Sequence, residues 1–273
     1  MPHLMSQAPL PKEDGARFFR KGMTLPLLYL SPHFAVIAKP AGMAVYPTKN
    51  TSHKTVEEYL QPQKRGGPWL VHRLDQDTAG CLLIARRKTA LIAAQNLFAG
   101  IKNTKNLSKI YWAILEDVLD PSLGDSGEIT VPLYKIRKKQ KWFMQACPDV
   151  NALPSSLRKE ILPAKTKWKK RGEHNGKTWI ELELLTGRTH QARVHCQFLG
   201  AAILGDTLYS QSTAAASQPL CLLARSLFLQ LPSSEKIEAS MPPPDFMTTE
   251  IQKIHPDFIS SSVPFLGKDP FFP

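Results

Sequence analysis

One stretch constrains this fold more than any other: Trp69-Leu70-Val71-His72-Arg73-Leu74-Asp75-Gln76-Asp77-Thr78-Ala79-Gly80-Cys81-Leu82-Leu83-Ile84-Ala85. Residues 69–74 alternate apolar and polar side chains, the period of a half-buried strand. Residues 81–85 are short and continuously apolar, as in a strand buried on both faces. The Asp-Gln-Asp-Thr-Ala-Gly segment between them reads as a tight connection ending on glycine. A carboxylate, Asp75, therefore stands where a core strand runs out into a loop. Arg73, two residues earlier, is expected on the same side of that strand. A guanidinium beside a carboxylate favours its ionised form. On pattern alone, a plain hairpin with a polar turn fits as well, because turns favour Asp, Thr and Gly.

The 273 residues, 42% of them hydrophobic, suffice for one large domain or two small ones. A formal charge of +12 points to a polyanionic partner: RNA, DNA or an anionic surface. The four cysteines (Cys81, Cys147, Cys196, Cys221) lie far apart in apolar contexts and form no C-x-x-C pair. Zinc-ribbon and thioredoxin-type motifs are thereby absent, and buried free thiols in a reducing cytoplasm are expected. The first residues lack a basic segment followed by an apolar run, so no signal peptide is read there. No apolar stretch reaches the roughly 18 residues of a membrane span. A soluble, cytoplasmic, monomeric protein is expected.

In chain order, residues 1–24 read as an N-terminal arm without a core of its own. Residues 27–38 read as two short strands about a Ser-Pro-His turn, and Lys39-Pro40-Ala41-Gly42 breaks the pattern before a further strand-like piece at 43–47. Thr55, followed by early acids, predicts a short helix, and Lys88 to Gly100 predicts a longer one. Residues 107–115 and 178–185 read as strands, and so does 221–229. Thr189 is placed as the cap of a helix running to Gly200. The middle of the chain interleaves cations with aromatics, at residues 134–143 and again at 165–171. Lys138, Lys139, Lys169 and Lys170 are expected to contact phosphate there. Trp142 and Trp168 are expected to pack in the core, although aromatic side chains in such a setting also stack on bases. Met-Pro-Pro-Pro at 241–244 is read as the end of the core. Residues 245–254 are read as an added helix before a Pro- and Ser-rich mobile tail.

The string His72-Arg73-Leu74-Asp75, followed by Asp77-Thr78-Ala79-Gly80, closely resembles a signature of the RluA-like family of RNA pseudouridine synthases. Gly187-Arg188-Thr189-His190-Gln191-Ala192-Arg193-Val194-His195 resembles the family's second strong motif. Lys39-Pro40-x-Gly42, the Lys109-x-Tyr111-x-Ala113 strand and Gly205-Asp206-x-x-Tyr209 follow in the family's order, so the likeness covers roughly 27–245. The chain departs from the family's usual residues at Tyr46, Ala79, Ala192, Ser210 and Leu223.

The resemblance implies an α+β fold: a mixed, largely antiparallel central sheet bent around a catalytic cleft, with helices outside. It implies a catalytic domain of two interleaved subdomains over 25–245, followed by a C-terminal helix and tail over 246–273. The small RNA-binding module that often precedes this domain is not expected. Asp75 is implied as the catalytic residue, Tyr111 as the ring packed on the target uracil, and Arg193 as the partner of the Asp75 carboxylate. His72, Arg73, Arg188, His190 and Lys39 are implied to shape the site or contact RNA. The implied activity is conversion of uridine to pseudouridine in structured ribosomal or transfer RNA, with no cofactor and no metal.

Three other readings are weaker. A non-catalytic RNA-binding or RNA-folding factor would use the same basic cleft without needing Asp75. A nucleobase deaminase needs His-x-Glu with Pro-Cys-x-x-Cys, and neither motif is present. A glycosidase normally needs two paired carboxylates. His190 and His195, five residues apart, also do not form the i, i+4 pair of a zinc helix.

Overall fold

The computed structural model describes residues 18–48, 53–64, 66–100, 106–138, 141–212, 215 and 217–259. Its frame is a ten-stranded sheet. The strands are β1 (Leu27–Leu30), β2 (Phe34–Lys39), β3 (Trp69–Leu70), β4 (Ala79–Ala85), β5 (Leu107–Leu115), β6 (Ser126–Ile129), β9 (Thr166–His174), β10 (Lys177–Leu184), β11 (Leu222–Gln230) and β12 (Lys236–Ser240). The hairpin β7 (Leu133–Lys138) and β8 (Lys141–Ala146) forms a second, two-stranded sheet. The helices are α1 (Val56–Tyr59), α2 (Lys88–Phe98), α3 (Ser155–Arg158), α4 (Gln191–Phe198) and α5 (Asp245–Ile254).

The main path runs β1-β2-β4-β11-β5-β10-β9-β6, with β3 on β4 and β12 on β11. All of these described pairings are antiparallel except β4 with β11. That parallel pair joins strands more than 130 residues apart in sequence, and it explains Gly80. Any Cβ there would lie 2.4 Å from the Ala224 carbonyl oxygen, and the residue holds φ +136°. The glycine ending the Asp-Thr-Ala-Gly turn thus permits close backbone approach.

All seven residues of β4 are buried, as their unbroken apolar run requires. Strand β10 alternates instead. Thr55 and Glu58 form a reciprocal capping box at α1. The described cysteines are all buried and free.

Four expectations need correction. The 69–74 strand ends at Leu70. One further ladder-like bond, from Val71 N to Leu83 O, precedes the loop, and Val71 and Leu74 are buried although neither belongs to the strand. Residues 43–47 form bends rather than a strand. Thr189 does not cap α4; His190 holds the N-cap in a left-handed conformation without a side-chain cap bond. The core does not stop at residue 244, because Met247, Ile251 and Phe258 join the cluster of Trp112 and Trp179. Trp112 and Trp179 meet edge to face at 5.0 Å, and Phe258 lies 5.6 Å from Trp179. The i, i+4 spacing of Met247 and Ile251 on an amphipathic helix is the signal that places α5 inside the fold. At the other end, Phe18 and Phe19 of the expected arm are also buried.

Candidate active site

The loop between β3 and β4 carries Asp75. It is held from beneath by Lys39, the last residue of β2. Lys39 is fully buried, and its ammonium donates to the carbonyls of Pro40, Met43 and Gln76 at 2.9, 2.8 and 2.9 Å. Three acceptors match the three N–H donors of an ammonium. Burial pushes its pKa down to about 7, against the opposing pull of Asp77 and Asp75. A lysine in this position cannot reach phosphate. The expectation that Lys39 contacts RNA is therefore corrected: it ties the carboxylate loop to the sheet.

Asp75 faces a cleft of about 350 Å³ that it shares with Tyr111, His72, Arg73, Arg188 and His190. Tyr111 stands in β5 opposite Leu182 of β10. Burial, then the nearby charges of Asp75 and Cys81, raise its phenol well above the ordinary value, so the ring stays neutral.

His72 is anchored. Its Nε2 accepts a bond from Leu83 N at 3.0 Å, and its ring stacks on Phe98 at 4.6 Å. Burial, with help from Lys109, pushes its pKa down to about 3. Such a histidine is a neutral wall of the cleft. Arg73 is exposed at the rim rather than aligned with Asp75 on a strand. Arg188 is also exposed, and its Nε donates to Pro163 O at 2.9 Å. The loop 186–191 is stitched by Gln191, whose Oε1 accepts from Thr186 Oγ1 at 2.6 Å and from Arg188 N at 3.0 Å.

Arg193 sits behind this wall and does not line the cleft. Its direct partner is Asp206 rather than Asp75. Nε and Nη2 donate to the two Asp206 oxygens at 2.7 and 2.6 Å, a bidentate pair that is buried on both sides. Asp206 also accepts from the backbone N–H of Leu208 and Tyr209, at 2.9 and 3.1 Å, which completes its acceptor set. Burial opposes the guanidinium charge, but Asp206, and then Asp75, hold its pKa above the ordinary value. Arg193 thus contributes a fixed positive charge near Asp75 without bonding it.

His190 is an ionisable neighbour of Asp75, with Nε2 3.9 Å from Oδ1 and both side chains 19% exposed. The other ring nitrogen of His190 meets Tyr209 Oη at 2.8 Å. The Gly-Asp-x-x-Tyr block thus supplies two functional residues, Asp206 and Tyr209, whose roles sequence reasoning missed. The motif was visible, but its partners come from α4 and could not be paired without the fold. Lys109 is another such residue. It lines the cleft, donates to Thr186 O at 2.9 Å, and is pushed down to about 8 by burial and then Arg188. Thr78 is the last, lining the cleft beside Asp75 with a buried hydroxyl that has no partner among the described residues.

The remaining predicted cations lie elsewhere. On β9, Lys170 pairs with Asp125 at 3.0 Å and with Glu173 at 3.6 Å. Lys167 and Arg171 meet Glu183 and Glu181. Lys169 is exposed on the same strand, away from the cleft. The 165–171 run is thus largely neutralised, by Glu181 and Glu183 of β10 on one side, by Asp125 and Glu128 at β6 on the other, and by Glu173 of β9 itself. Lys139 and the Lys138 side chain lie outside the described residues.

On β7–β8, by contrast, Trp142 is 55% exposed, with Lys135 Nζ 4.3 Å and Arg137 Cζ 5.7 Å from its ring. The expectation of a core Trp142 is therefore corrected, whereas Trp168 is buried as expected. His195 is an internal strut between Thr166 Oγ1 and Val131 O. Among the described residues, no group of three or more His, Cys, Asp or Glu could hold a metal ion, and no helix is long and apolar enough to cross a membrane.

Comparison with known proteins accords with this geometry. The family described as RNA pseudouridylate synthase matches residues 33–198. RNA pseudouridine synthase 4, mitochondrial, of Arabidopsis thaliana is 32% identical over 73% of this chain, which spans 44% of that protein's length. The dual-specificity RNA pseudouridine synthase RluA of Pasteurella multocida is 29% identical over 81% of this chain and 94% of its own. The solved structure of human RNA pseudouridylate synthase domain containing 4 superposes with a TM-score of 0.64 at 25% identity, covering 83% of this chain and 92% of that one. Asp75, Tyr111 and His190 lie in or close to the matched span, in a cleft built on the strands that the span contributes. The chain belongs to the RluA-like family of RNA pseudouridine synthases, isomerases that convert uridine in RNA into pseudouridine.

Proposed function

We propose that this chain binds a structured ribosomal or transfer RNA, takes one uridine out of its stack into the cleft, and isomerises it there with Asp75 as the catalytic residue. The observation that carries this reading is the meeting of Asp75 and Tyr111 across a single cleft of about 350 Å³, a volume suited to one nucleoside. A stacked uridine exposes neither its glycosidic bond nor its ring face, so the base must be flipped. Phosphate contacts from exposed cations offset the cost of unstacking. Arg73 and Arg188 stand at the rim, with Lys135 and Arg137 on the hairpin.

In the cleft, the bond from N1 to C1′ breaks, the uracil turns, and a bond from C5 to C1′ forms. The C5 proton leaves and N1 gains one. Asp75 acts on the nucleoside at the glycosidic bond. Tyr111 lies against the uracil, neutral and close to the carbon that loses its proton. Arg193 acts from behind through its charge, as a positioning residue. The net change needs no redox partner or group donor; the enzyme acts as a monomer in this reading, and four buried free thiols fit a reducing compartment such as the cytoplasm.

The test is a pseudouridine map of cellular RNA from cells without the protein, rescued by wild type or Asp75→Asn. Wild type is expected to restore one or a few sites, and the variant none, a loss of about a thousandfold or more in rate. Equal rescue by both would remove Asp75 from catalysis and favour a factor that binds RNA without reacting.

A further inference from the structure

His190 occupies an unusual position. It begins α4 with φ 55° and ψ 18°, a left-handed conformation that costs a side chain energy and persists where the surroundings demand it. The imidazole is held at one end and faces Asp75 with the other. Nδ1 lies 2.8 Å from Tyr209 Oη, and Nε2 lies 3.9 Å from Asp75 Oδ1. The bonds of Tyr209 determine which nitrogen carries the proton. Tyr209 is buried, and its Oη already accepts the backbone N–H of Met144 at 3.1 Å. If Nδ1 also donated to Oη, the phenol would accept twice and its own proton would lack a partner. A buried hydroxyl proton without a partner is costly. The satisfied arrangement has Oη–H donating to Nδ1. The neutral ring then carries its proton on Nε2, facing the carboxylate. Burial lowers the His190 pKa against the opposing charge of Asp75, which keeps the ring neutral.

We propose that Tyr209 and His190 form a positioning relay for Asp75: Tyr209 selects the His190 tautomer, and the Nε2–H so fixed orients the carboxylate for reaction. The inference rests on Asp75 being the catalytic residue. In the free protein the final link is longer than a hydrogen bond, and such links tighten when substrate closes the site. The opposite tautomer would set a lone pair against the carboxylate and repel it. The relay starts on β8, at Met144, whose side chain packs with Tyr209, Leu133 and Val194. Trp142 lies two residues along the same strand face, and Lys135 and Arg137 pair across to Met144 and Trp142. The strand that bonds Tyr209 is therefore the strand that presents the exposed aromatic, and its hairpin partner β7 presents the cations.

The test uses the full chain. Nitrogen-15 spectra of the imidazoles are expected to show the Nε2–H tautomer for His190, and Tyr209→Phe to move it toward Nδ1–H. Turnover is read as tritium release from total RNA of cells lacking the protein, labelled with uridine tritiated at carbon 5. Tyr209→Phe is expected to lower kcat about tenfold, the rate equivalent of one hydrogen bond, with KM changed less than about twofold. His190→Gln keeps an N–H donor that needs no tautomer, so adding Tyr209→Phe to it should cost nothing further. An Nδ1–H tautomer in the wild type, or a full Tyr209→Phe loss in the His190→Gln background, would overturn the relay. Activity surviving in Asp75→Asn would instead overturn the assignment of the aspartate, while the spectra would still report the tautomer.

Discussion

The two sides of the molecule use the same residue types in opposite ways. Beneath and behind the Asp75 loop, three cations are buried and spent on the protein itself: Lys39 on three carbonyls, Arg193 on Asp206, Lys109 on Thr186 O. On the β7–β8 hairpin, Lys135 and Arg137 lie exposed over an exposed Trp142. A net charge of +12 thus contains two populations. One fixes the geometry and field around a carboxylate, where low polarity makes each charge effective. The other remains in water, where it is available to phosphate. Charge is a guide to a polyanion only after the first population has been subtracted.

Substitution at Lys39 probes this contrast most strongly. Lys39→Met should strand three carbonyls, at a cost of about 3 kcal/mol or more, and lower Tm by roughly 6–12 °C. It should also lower kcat, because the Gln76 carbonyl anchors the loop of Asp75, and leave the salt dependence of RNA binding unchanged. A reduced salt slope with normal Tm would instead make Lys39 a phosphate contact and collapse the distinction. At the hairpin the signs reverse. Trp142→Ala should weaken binding to RNA about tenfold, within the range of one base–aromatic stack, with Tm nearly unaffected. A large fall in Tm would return Trp142 to the core.

The last effect appears only in acid and falls on stability. The His72 pKa falls from 6.5 to about 3 on folding, so between those values the unfolded chain binds more protons. Stability is then full above about pH 6.5 and falls as pH drops toward 3. His72→Gln, which keeps an acceptor for Leu83 N–H, should make that fall shallower in pH-dependent melting.

Much of this was legible before any fold was known. β4 and β5 follow from apolar runs, and α2 and α5 from periodicity and breakers. Asp75 and Tyr111 were singled out because the motifs that carry the family resemblance are contiguous, and the fold brings the two into one cleft. Partnerships across distance were not legible. The resemblance assigned Arg193 to Asp75, whereas its bonded partner is Asp206, 13 residues on. Only the turn at Gly205, where a Cβ would lie 2.2 Å from Pro219 O, brings Asp206 beneath α4. Burial was equally hidden. Nothing in Lys-Pro-Ala-Gly distinguishes a lysine tied to carbonyls from one facing solvent. Nor does the 165–171 run reveal the acids of β10 that face it.

The parallel seam between β4 and β11 carries a consequence for the order in which the enzyme is made. The strand that follows Asp75 emerges from the ribosome early, but its neighbour begins at residue 222, and Ala224 sits against Gly80. Until that late strand is synthesised, the Ala79–Gly80 end of β4, next to the Asp75 loop, lacks its parallel neighbour, and Leu222 is missing from the cleft lining. A nascent chain therefore carries every residue of its first motif long before it has an active site. Catalytic competence arrives late in synthesis, when the chain's final third returns to close its first.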